Sequence, residues 1–334
     1  MKSIELFAGA GGLALGIEKA GFDHIGLVEF DKDAAETLKE NRPQWNVIND
    51  DIANISSQDL EDFFGIKSGE LDLLSGGAPC QAFSYAGKRL GLNDTRGTLF
   101  YHFATFLDKL KPKAFIFENV RGLLSHDKGR TYKTIVGIFA DCGYTIQKQV
   151  LNAWDYGTAQ KRERLITIGV RNDLVDKVHI DFPEPHKYKP VLRDILKDVP
   201  PSEGAQYGET KKALFELVPP GGYWKDIDPK LAKKYMKSCW DMEGGRTGIL
   251  RRLSMDEPSL TVLTSPSQKQ TERCHPLEAR PFTIRENARI QSFPDDWKFT
   301  GSVASQYKQV GNAVPVNLAY DIALEVKKGL EVIQ

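Results

Sequence analysis

The sequence predicts an α/β fold: a doubly wound, mostly parallel sheet with helices on both faces, interrupted by a second, small irregular domain. In the first half of the chain, short apolar runs alternate with longer amphipathic stretches, which is typical of βαβ units. Between residues 183 and 284 this alternation gives way to frequent prolines and glycines without a sustained period of 3.6 or 2. A helical pattern returns afterwards. We therefore divide the chain into segments 1–182, 183–284 and 285–334.

The individual elements follow from the same periodicities. Strands are predicted at residues 3–7, 24–29, 45–49, 71–75, 114–118, 145–151 and 164–170. Helices are predicted at residues 12–20, 32–41, 99–110 and 132–142, with a last helix at 316–326. Gly143 suits the end of the fourth helix, because glycine readily adopts the left-handed conformation that closes a helix.

Composition and cysteine usage exclude several classes of protein. Lysine plus arginine number 45, as do aspartate plus glutamate, so any contact with a polyanion must rest on local positive charge. The four cysteines are widely spaced without a Cys-x-x-Cys pair, and Cys274-His275 has no second ligand pair, which argues against disulfides and a metal site. The chain shows neither a signal-peptide pattern nor an apolar run of roughly 18 residues. We expect a cytoplasmic protein without membrane contact.

A glycine-rich segment, FAGAGG at residues 7–12, directly follows the first predicted strand. Doubly wound folds bind adenosyl ligands at this position, and small residues let the backbone approach a ligand closely. The spacing differs from the dinucleotide fingerprint, so a tight structural turn is an equal alternative. Glu29 and Asp51, at the next two strand ends, favour the ligand, because their carboxylates could meet ribose hydroxyls and an adenine amino group. Each acid could also be a solvated loop end or a helix cap.

The fourth predicted strand runs into GGAPCQAFS at residues 76–84, a turn that presents Cys80 where a thiolate can act. A buried loop cysteine is the alternative. The fifth strand delivers Glu118 at the equivalent level, which places a carboxyl beside the thiol. In QKRER at residues 160–164, Arg162 and Arg164 alternate toward one side and could hold an anionic or carbonyl-bearing ring. A solvated charged strand start is the alternative.

Together these motifs resemble the bacterial cytosine-5 DNA methyltransferase family of restriction-modification systems, and the resemblance covers most of the chain. The matching segments are 7–12, 29, 51, 76–84, 118–120, 160–164, RENARIQSFP at 285–294 and QVGNAVP at 309–315. Ala78 departs from the pattern, since many members carry proline there. The resemblance implies a Rossmann-like catalytic and cofactor-binding domain at 1–182, a target-recognition domain at 183–284, and a return segment at 285–334 that completes the catalytic domain.

The resemblance also implies a mechanism in which Cys80 adds to a flipped-out cytosine while S-adenosyl-L-methionine supplies the methyl group. Its catalytic residues would be Cys80, Glu118, Arg162 and Arg164. Glu118 would bind the ring nitrogen and amine, and Arg164 the ring carbonyl. The implied cofactor contacts are Phe7, Ala8, Gly9, Gly11, Gly12, Leu13, Glu29, Phe30, Asp51, Ile52, Gly77, Pro79, Leu99, Asn312 and Val314. For Asn312, a turn without a ligand role is the alternative.

DNA contacts are expected from two regions. Residues 81–96 are polar, glycine-containing and not periodic, which suits a mobile loop that closes over the flipped base, although an inert surface loop is possible. The irregular domain and its flank concentrate positive charge at Arg246, Arg251, Arg252, Lys269, Arg273, Arg280, Arg285 and Arg289. The contacts we predict are Gln81, Ser84, Lys88, Arg89, Gln268, Lys269 and Arg273.

The expected partner is double-stranded DNA, with a monomeric enzyme that is paired functionally with a restriction endonuclease. A tRNA cytosine-5 methyltransferase of the same family is an alternative. Against it, Ser84 follows Phe83 as in the DNA enzymes, and no Cys-Phe-Thr segment occurs. A catalytically silent DNA-binding relative is a second alternative, and the retained Cys80 and Glu118 argue against it.

Overall fold

A seven-stranded sheet forms the centre of the molecule in the computed structural model, which describes residues 1–78, 99–241, 246–266 and 268–334. The strands are β1 (Lys2–Leu6), β2 (Asp23–Glu29), β3 (Val47–Asn49), β4 (Leu73–Gly76), β5 (Ala114–Val120), β6 (Tyr144–Asn152) and β8 (Glu163–Arg171). Their order is β3-β2-β1-β4-β5-β8-β6. The first five run parallel, and β8 is antiparallel to both β5 and β6. The sheet is therefore mostly parallel, as predicted.

Helices cover both faces of this sheet. They are α1 (Gly12–Lys19), α2 (Lys32–Asn41), α3 (Ile52–Ser56), α4 (Leu60–Phe64), α5 (Leu99–Leu110), α6 (Arg130–Asp141), α10 (Ile284–Ile290), α11 (Val303–Asn312) and α12 (Val316–Glu331). Along β5, Phe115 and Phe117 pack against the aromatic side chains of α5 and α6, whereas Ala114 and Ile116 pack on the side of α1 and α12. This alternation buries both faces of the strand.

The predicted elements are all present, and most of their ends agree within two residues. The bounds of α2 and α5 agree fully. The start of α2 is fixed by Asp31, whose side chain accepts hydrogen bonds from the backbone N–H groups of Asp33 and Ala34. The largest difference is at α12, which continues to Glu331, because apolar residues keep facing the core beyond residue 326.

Segment 183–284 contains regular structure that the sequence pattern does not predict. Its helices are α7 (Leu192–Ile195), α8 (Glu209–Leu217) and α9 (Pro229–Met236). A start signal for α9 is present in the sequence: Asp228 caps the helix through the N–H groups of Lys230 and Leu231, and Pro229 occupies its first turn. These helices are separated by prolines, glycines and irregular backbone, which explains why periodicity alone misses them.

This irregular module has a hydrophobic core of its own. The core consists of Phe215, Val218, Trp224, Ile227, Ala232, Met236, Ile249, Leu250 and Cys274. Glu272 is fully buried beside it and accepts hydrogen bonds from Lys211 Nζ (2.7 Å) and the Leu250 N–H (2.5 Å). Cys274 is a core residue, and the described part of the chain contains no cluster of metal-ligating side chains.

The ends of segment 183–284 belong instead to the core of the larger domain. Leu192, Leu253, Val262 and Phe282 pack in one cluster with residues of α1, α2 and α10. A short parallel pair, β7 (Gln160–Lys161) and β9 (Ser259–Leu260), joins the two parts of the chain. No helix within the described ranges is both long and apolar enough to cross a membrane.

Candidate active site

A buried carboxyl group and a buried guanidinium group face each other at the carboxyl end of the parallel strands. Arg164 Nε lies 2.7 Å from Glu118 Oε1, and each side chain is only 13% exposed. The antiparallel register of β5 and β8, which pairs Val120 with Arg164, brings the two residues together. Burial raises the pKa of Glu118 above its ordinary value, against the lowering effect of the Arg164 and Arg162 charges. Burial and the two arginine charges thus act on the Glu118 carboxyl group in opposite directions.

The cysteine motif begins against this pair. A Cβ added to Gly77 would lie 2.6 Å from Glu118 Oε2, so only glycine fits between the strand end and the carboxyl group. Ala78, the residue after Gly77, is fixed by the Asn119 side-chain amide, which donates a hydrogen bond to the Ala78 carbonyl at 3.0 Å. Pro79 and Cys80 lie outside the described residues. The structure therefore brings Glu118, Arg164 and the first three residues of the motif to one place.

Arg162 lies behind the pair and is occupied by backbone carbonyls. It is 1% exposed, and its guanidinium donates to the carbonyls of Gly311 (2.9 Å) and Val262 (3.3 Å). Burial, together with the charge of Arg164, lowers the pKa of Arg162 to about 9. Among the described residues its Nε has no hydrogen-bond partner. These contacts support a positioning role for Arg162, while Arg164 makes the direct contact with Glu118.

Two buried glutamines, to which the sequence assigns no role, complete the support. Gln160 donates to the Gln291 side-chain oxygen at 2.7 Å and accepts from the Val262 N–H at 2.8 Å. Gln291 donates in turn to the Val310 carbonyl at 2.7 Å. Both glutamines are fully buried, and they join β7, the irregular module and the return segment. In the sequence, the feature that could have pointed to both glutamines is their position inside the motifs at 160–164 and 285–294.

The glycine-rich segment forms a sharp loop between β1 and α1. Gly9 and Gly11 have φ values of 55° and 86°, in the left-handed region that glycine adopts without strain. A Cβ on Gly9 would meet nothing within 4 Å, whereas a Cβ on Gly12 would collide with the Val314 carbonyl. The loop is therefore packed from the return segment on one side and open on the other. This is the form of a cradle for a ligand.

Glu29 holds the loop in place. Its carboxyl oxygens accept hydrogen bonds from the backbone N–H groups of Gly9 and Asp31, each at 2.7 Å. Burial raises the pKa of Glu29. A carboxylate has further lone pairs, so Glu29 still has capacity to accept from hydroxyl groups. Phe30 follows it and is 74% exposed, an unusual position for a phenylalanine and one suited to stacking on a flat ring.

The other described cofactor contacts that the sequence predicts lie on or beside α1, α3, α5 and α11. Asp51 is the N-cap of α3 and accepts from the Ala53 N–H at 2.9 Å, which is the helix-cap role that the sequence leaves open. Asn312 ends α11 with an exposed side chain. Ala8, Leu13 and Ile52 are buried, and Leu99 is half-buried.

Most of the basic residues expected to face DNA are engaged within the chain. Three of them donate to backbone carbonyls: Arg246 to those of Cys239 and Trp240, Arg252 to those of Phe215 and Val218, and Arg285 to those of Pro294 and Trp297. Two form ion pairs: Arg280 with Glu278 and Glu286, and Arg289 with Asp295. These five guanidinium groups are held within the chain, and their DNA-facing role stays a prediction. Gln268 is exposed. Gln81, Ser84, Lys88, Arg89 and the side chain of Lys269 lie outside the described residues.

Solved structures of methyltransferases share this fold. A prophage-encoded DNA modification methyltransferase of Escherichia coli is similar with a TM-score of 0.73, at 25% identity over 99% of each chain. DNMT2 of Spodoptera frugiperda is similar with a TM-score of 0.66 at 17% identity, over 98% of this chain and 99% of its own. The predicted fold class is confirmed.

Sequence comparison identifies the family within that fold. Residues 1–328 match the family model of the C-5 cytosine-specific DNA methylases. The type II methyltransferase M.Sau96I of Staphylococcus aureus is 58% identical over 94% of this chain and 73% of its own length. M.Eco47II of Escherichia coli is 51% identical over 97% and 78%, respectively. The chain belongs to the C-5 cytosine-specific DNA methylase family and is an enzyme that methylates cytosine in DNA, which confirms the DNA assignment over the tRNA and silent alternatives.

Proposed function

We propose that the protein methylates ring position 5 of a flipped-out cytosine in a specific duplex sequence, with Cys80 as the nucleophile and S-adenosyl-L-methionine as the methyl donor. The observation that carries this proposal is the buried Glu118–Arg164 pair, against which the cysteine motif begins. A thiol delivered to this position meets a proton donor and a cation in one water-poor pocket. Attack on an aromatic ring needs that combination, because the ring must accept an electron pair.

The residues divide the chemistry between them. The Cys80 thiolate adds to carbon 6, and Glu118 donates a proton to the ring nitrogen that receives the electron pair. Arg164 binds the ring carbonyl through Nη2, because Nε contacts Glu118 and Nη1 donates to the Glu163 carbonyl at 2.8 Å. After methylation, loss of the position 5 proton expels Cys80 and restores the aromatic ring. A base stacked in a duplex cannot present carbon 6 to a thiolate, which is why the cytosine must leave the helix.

The loop at residues 7–12 suits S-adenosyl-L-methionine as the cofactor. Glu29 has acceptor capacity for ribose hydroxyls, Phe30 offers an exposed ring for adenine, and the open side of Gly9 admits the ligand. When bound, the cofactor supplies the methyl group as an electrophilic sulfonium. Gly12 and Val314 pack together beneath it, so the return segment would support the same site.

The biological setting follows from the relatives. M.Sau96I and M.Eco47II are type II methyltransferases, and we propose that this enzyme likewise protects DNA from a cognate restriction endonuclease. We further propose a monomer that acts in the cytoplasm, with residues 183–284 as the target-recognition domain. The separate core between Phe215 and Cys274 supports a recognition unit within these bounds.

Trapping with 5-fluorocytosine tests the proposal. A duplex that carries 5-fluorocytosine in place of cytosine should accumulate a stable protein–DNA adduct in the presence of S-adenosyl-L-methionine, because fluorine cannot leave as a proton. The adduct should disappear in Cys80→Ser and persist in Cys239→Ser, a matched control at a half-buried cysteine of the module. An adduct formed by Cys80→Ser would contradict the assigned nucleophile.

A further inference from the structure

Two arginines of the irregular module differ from the others, because among the described residues they form no ion pair and together donate only one hydrogen bond. Within the described ranges, Arg251 and Arg273 contact no carboxylate, and the Nε atom of each is buried without a hydrogen-bond partner. Arg273 donates one bond, to the Glu272 carbonyl at 2.9 Å, and Arg251 lies 5.9 Å from the centre of the Tyr223 ring. Apart from the two buried Nε atoms and the bond to Glu272, the terminal guanidinium nitrogens remain available to a ligand.

Backbone pairing places the two arginines side by side. Arg252 and Cys274 form a parallel bridge, in which the Cys274 N–H donates to the Arg251 carbonyl at 2.9 Å. Arg251 directly precedes Arg252, and Arg273 directly precedes Cys274. Because successive side chains of extended backbone alternate, Arg251 and Arg273 lie on one face of this bridge, and Arg252 and Cys274 lie on the other. The Arg252 and Cys274 side chains face inward, where Cys274 is fully buried.

Arg273 borders a cleft that is linked to the active site through Val262. Arg273 lines this cleft together with Val262, Leu263, Phe282 and Asn287. The Val262 carbonyl on the far side accepts the hydrogen bond from Arg162. Arg273 thus lines a cleft that also includes Val262, a residue bound to Arg162, and Arg251 neighbours Arg273 beside this cleft.

Two neighbouring cations in a partly desolvated position are unfavourable unless a ligand compensates them. Burial and the charge of Arg251 lower the pKa of Arg273 to about 10, which reflects this cost. Acidic side chains compensate Arg280 and Arg289 of the same region. No such compensation is built for this pair among the described residues, so acceptor atoms must come from the bound molecule.

We propose that Arg251 and Arg273 read a guanine of the recognition sequence through its O6 and N7 atoms in the major groove. The proposal rests on the DNA methylation proposed above. A guanine edge offers two acceptors at the spacing of one guanidinium fork, which makes arginine the usual reader of this base. A phosphate contact is the alternative use of the same donors. The recessed, paired position favours the base, because phosphates are reached by exposed side chains at the rim of an interface.

A base-analogue experiment separates the two uses. The recognised sequence is first mapped at base resolution with the wild-type enzyme. Each of its guanines is then replaced in turn by 7-deazaguanine, which lacks the N7 acceptor, and methylation rates are measured for wild type, Arg251→Lys and Arg273→Lys. One substituted guanine should slow the wild type about tenfold. In at least one lysine variant, the same 7-deazaguanine substitution should lower the methylation rate little further, because the guanidinium group that would bind N7 is already absent.

The lysine variants keep the positive charge but lose the paired donors of the guanidinium group, so they distinguish a base contact from a phosphate contact. An equal loss of rate on every duplex, with full discrimination retained, would identify a phosphate contact and overturn the proposal. So would a wild type indifferent to 7-deazaguanine at all positions. Arg193→Lys, at an exposed arginine paired with Asp256, is the matched control and should behave as wild type. If the wild type forms no adduct with 5-fluorocytosine duplexes, the proposed function itself fails.

Discussion

Arg164 Nε and Glu118 Oε1 lie 2.7 Å apart although burial raises the pKa of Glu118. Burial therefore opposes the ionised form of Glu118 that the Arg164 charge favours. A ligand that accepts a hydrogen bond from Glu118 would shift this balance toward the protonated form. The reaction requires such a donor, so we expect the protonation of Glu118 to control the rate.

Glu118→Gln should slow the formation of the 5-fluorocytosine adduct by about 10²-fold or more, since the amide cannot transfer a proton to the ring. In the wild type, the single-turnover rate should fall as the pH rises through the raised pKa of Glu118, because the carboxylate is not a donor. That alkaline decline should be missing from the Gln variant. A variant with wild-type rates would exclude Glu118 as the acid.

Gly77→Ala should abolish most activity while leaving the protein folded. The new methyl group would lie 2.6 Å from Glu118 Oε2, which forces the carboxyl group or the cysteine motif to move. Gly137→Ala is the matched control: it lies in α6 with open space around it, and it should stabilise the protein by up to about 1 kcal/mol. Methylation rates and thermal unfolding of both variants check the prediction. Equal activity of the two would contradict it.

Phe30→Ala should weaken the binding of S-adenosyl-L-methionine without changing stability. The ring is 74% exposed, so its removal costs little core packing, whereas loss of an aromatic stacking contact is worth about 0.5–1.5 kcal/mol. Titration calorimetry should show a dissociation constant raised by about 2- to 13-fold. Tyr188→Ala, at another exposed aromatic side chain, should leave binding unchanged. Unchanged affinity in Phe30→Ala would remove this residue from the cofactor site.

Gln291→Leu should destabilise the protein by about 2–4 kcal/mol, because the Val310 carbonyl and the Gln160 side chain would lose buried hydrogen bonds. Urea unfolding monitored by tryptophan fluorescence measures the change. Gln58→Leu, at an exposed glutamine, should have an effect within about 0.5 kcal/mol. A loss below 1 kcal/mol in Gln291→Leu would show that the glutamine network does not hold the segments together.

The sequence predicts the sheet and its helices because these depend on local patterns. The grouping of Glu118 with Arg164 follows from the family resemblance, since Arg164 lies at the start of an antiparallel strand whose direction the local pattern does not show. The sequence does not distinguish Arg162 from Arg164. Both belong to one short motif, but the carbonyls that occupy Arg162 come from Val262 and Gly311, which are 100 and 149 residues away. Contacts at such separations leave no local signature in a single sequence.

The separate core of the irregular module has a consequence for building enzymes with new targets. Its members run from Phe215 to Cys274, yet Leu253 and Val262 within that stretch pack with the larger domain, and β9 pairs with β7. A domain exchange with boundaries at residues 183 and 284 would therefore remove residues that belong to the hydrophobic core of the larger domain. Exchange should succeed best when the donor supplies the outer part of the stretch and the host keeps β9 and Val262.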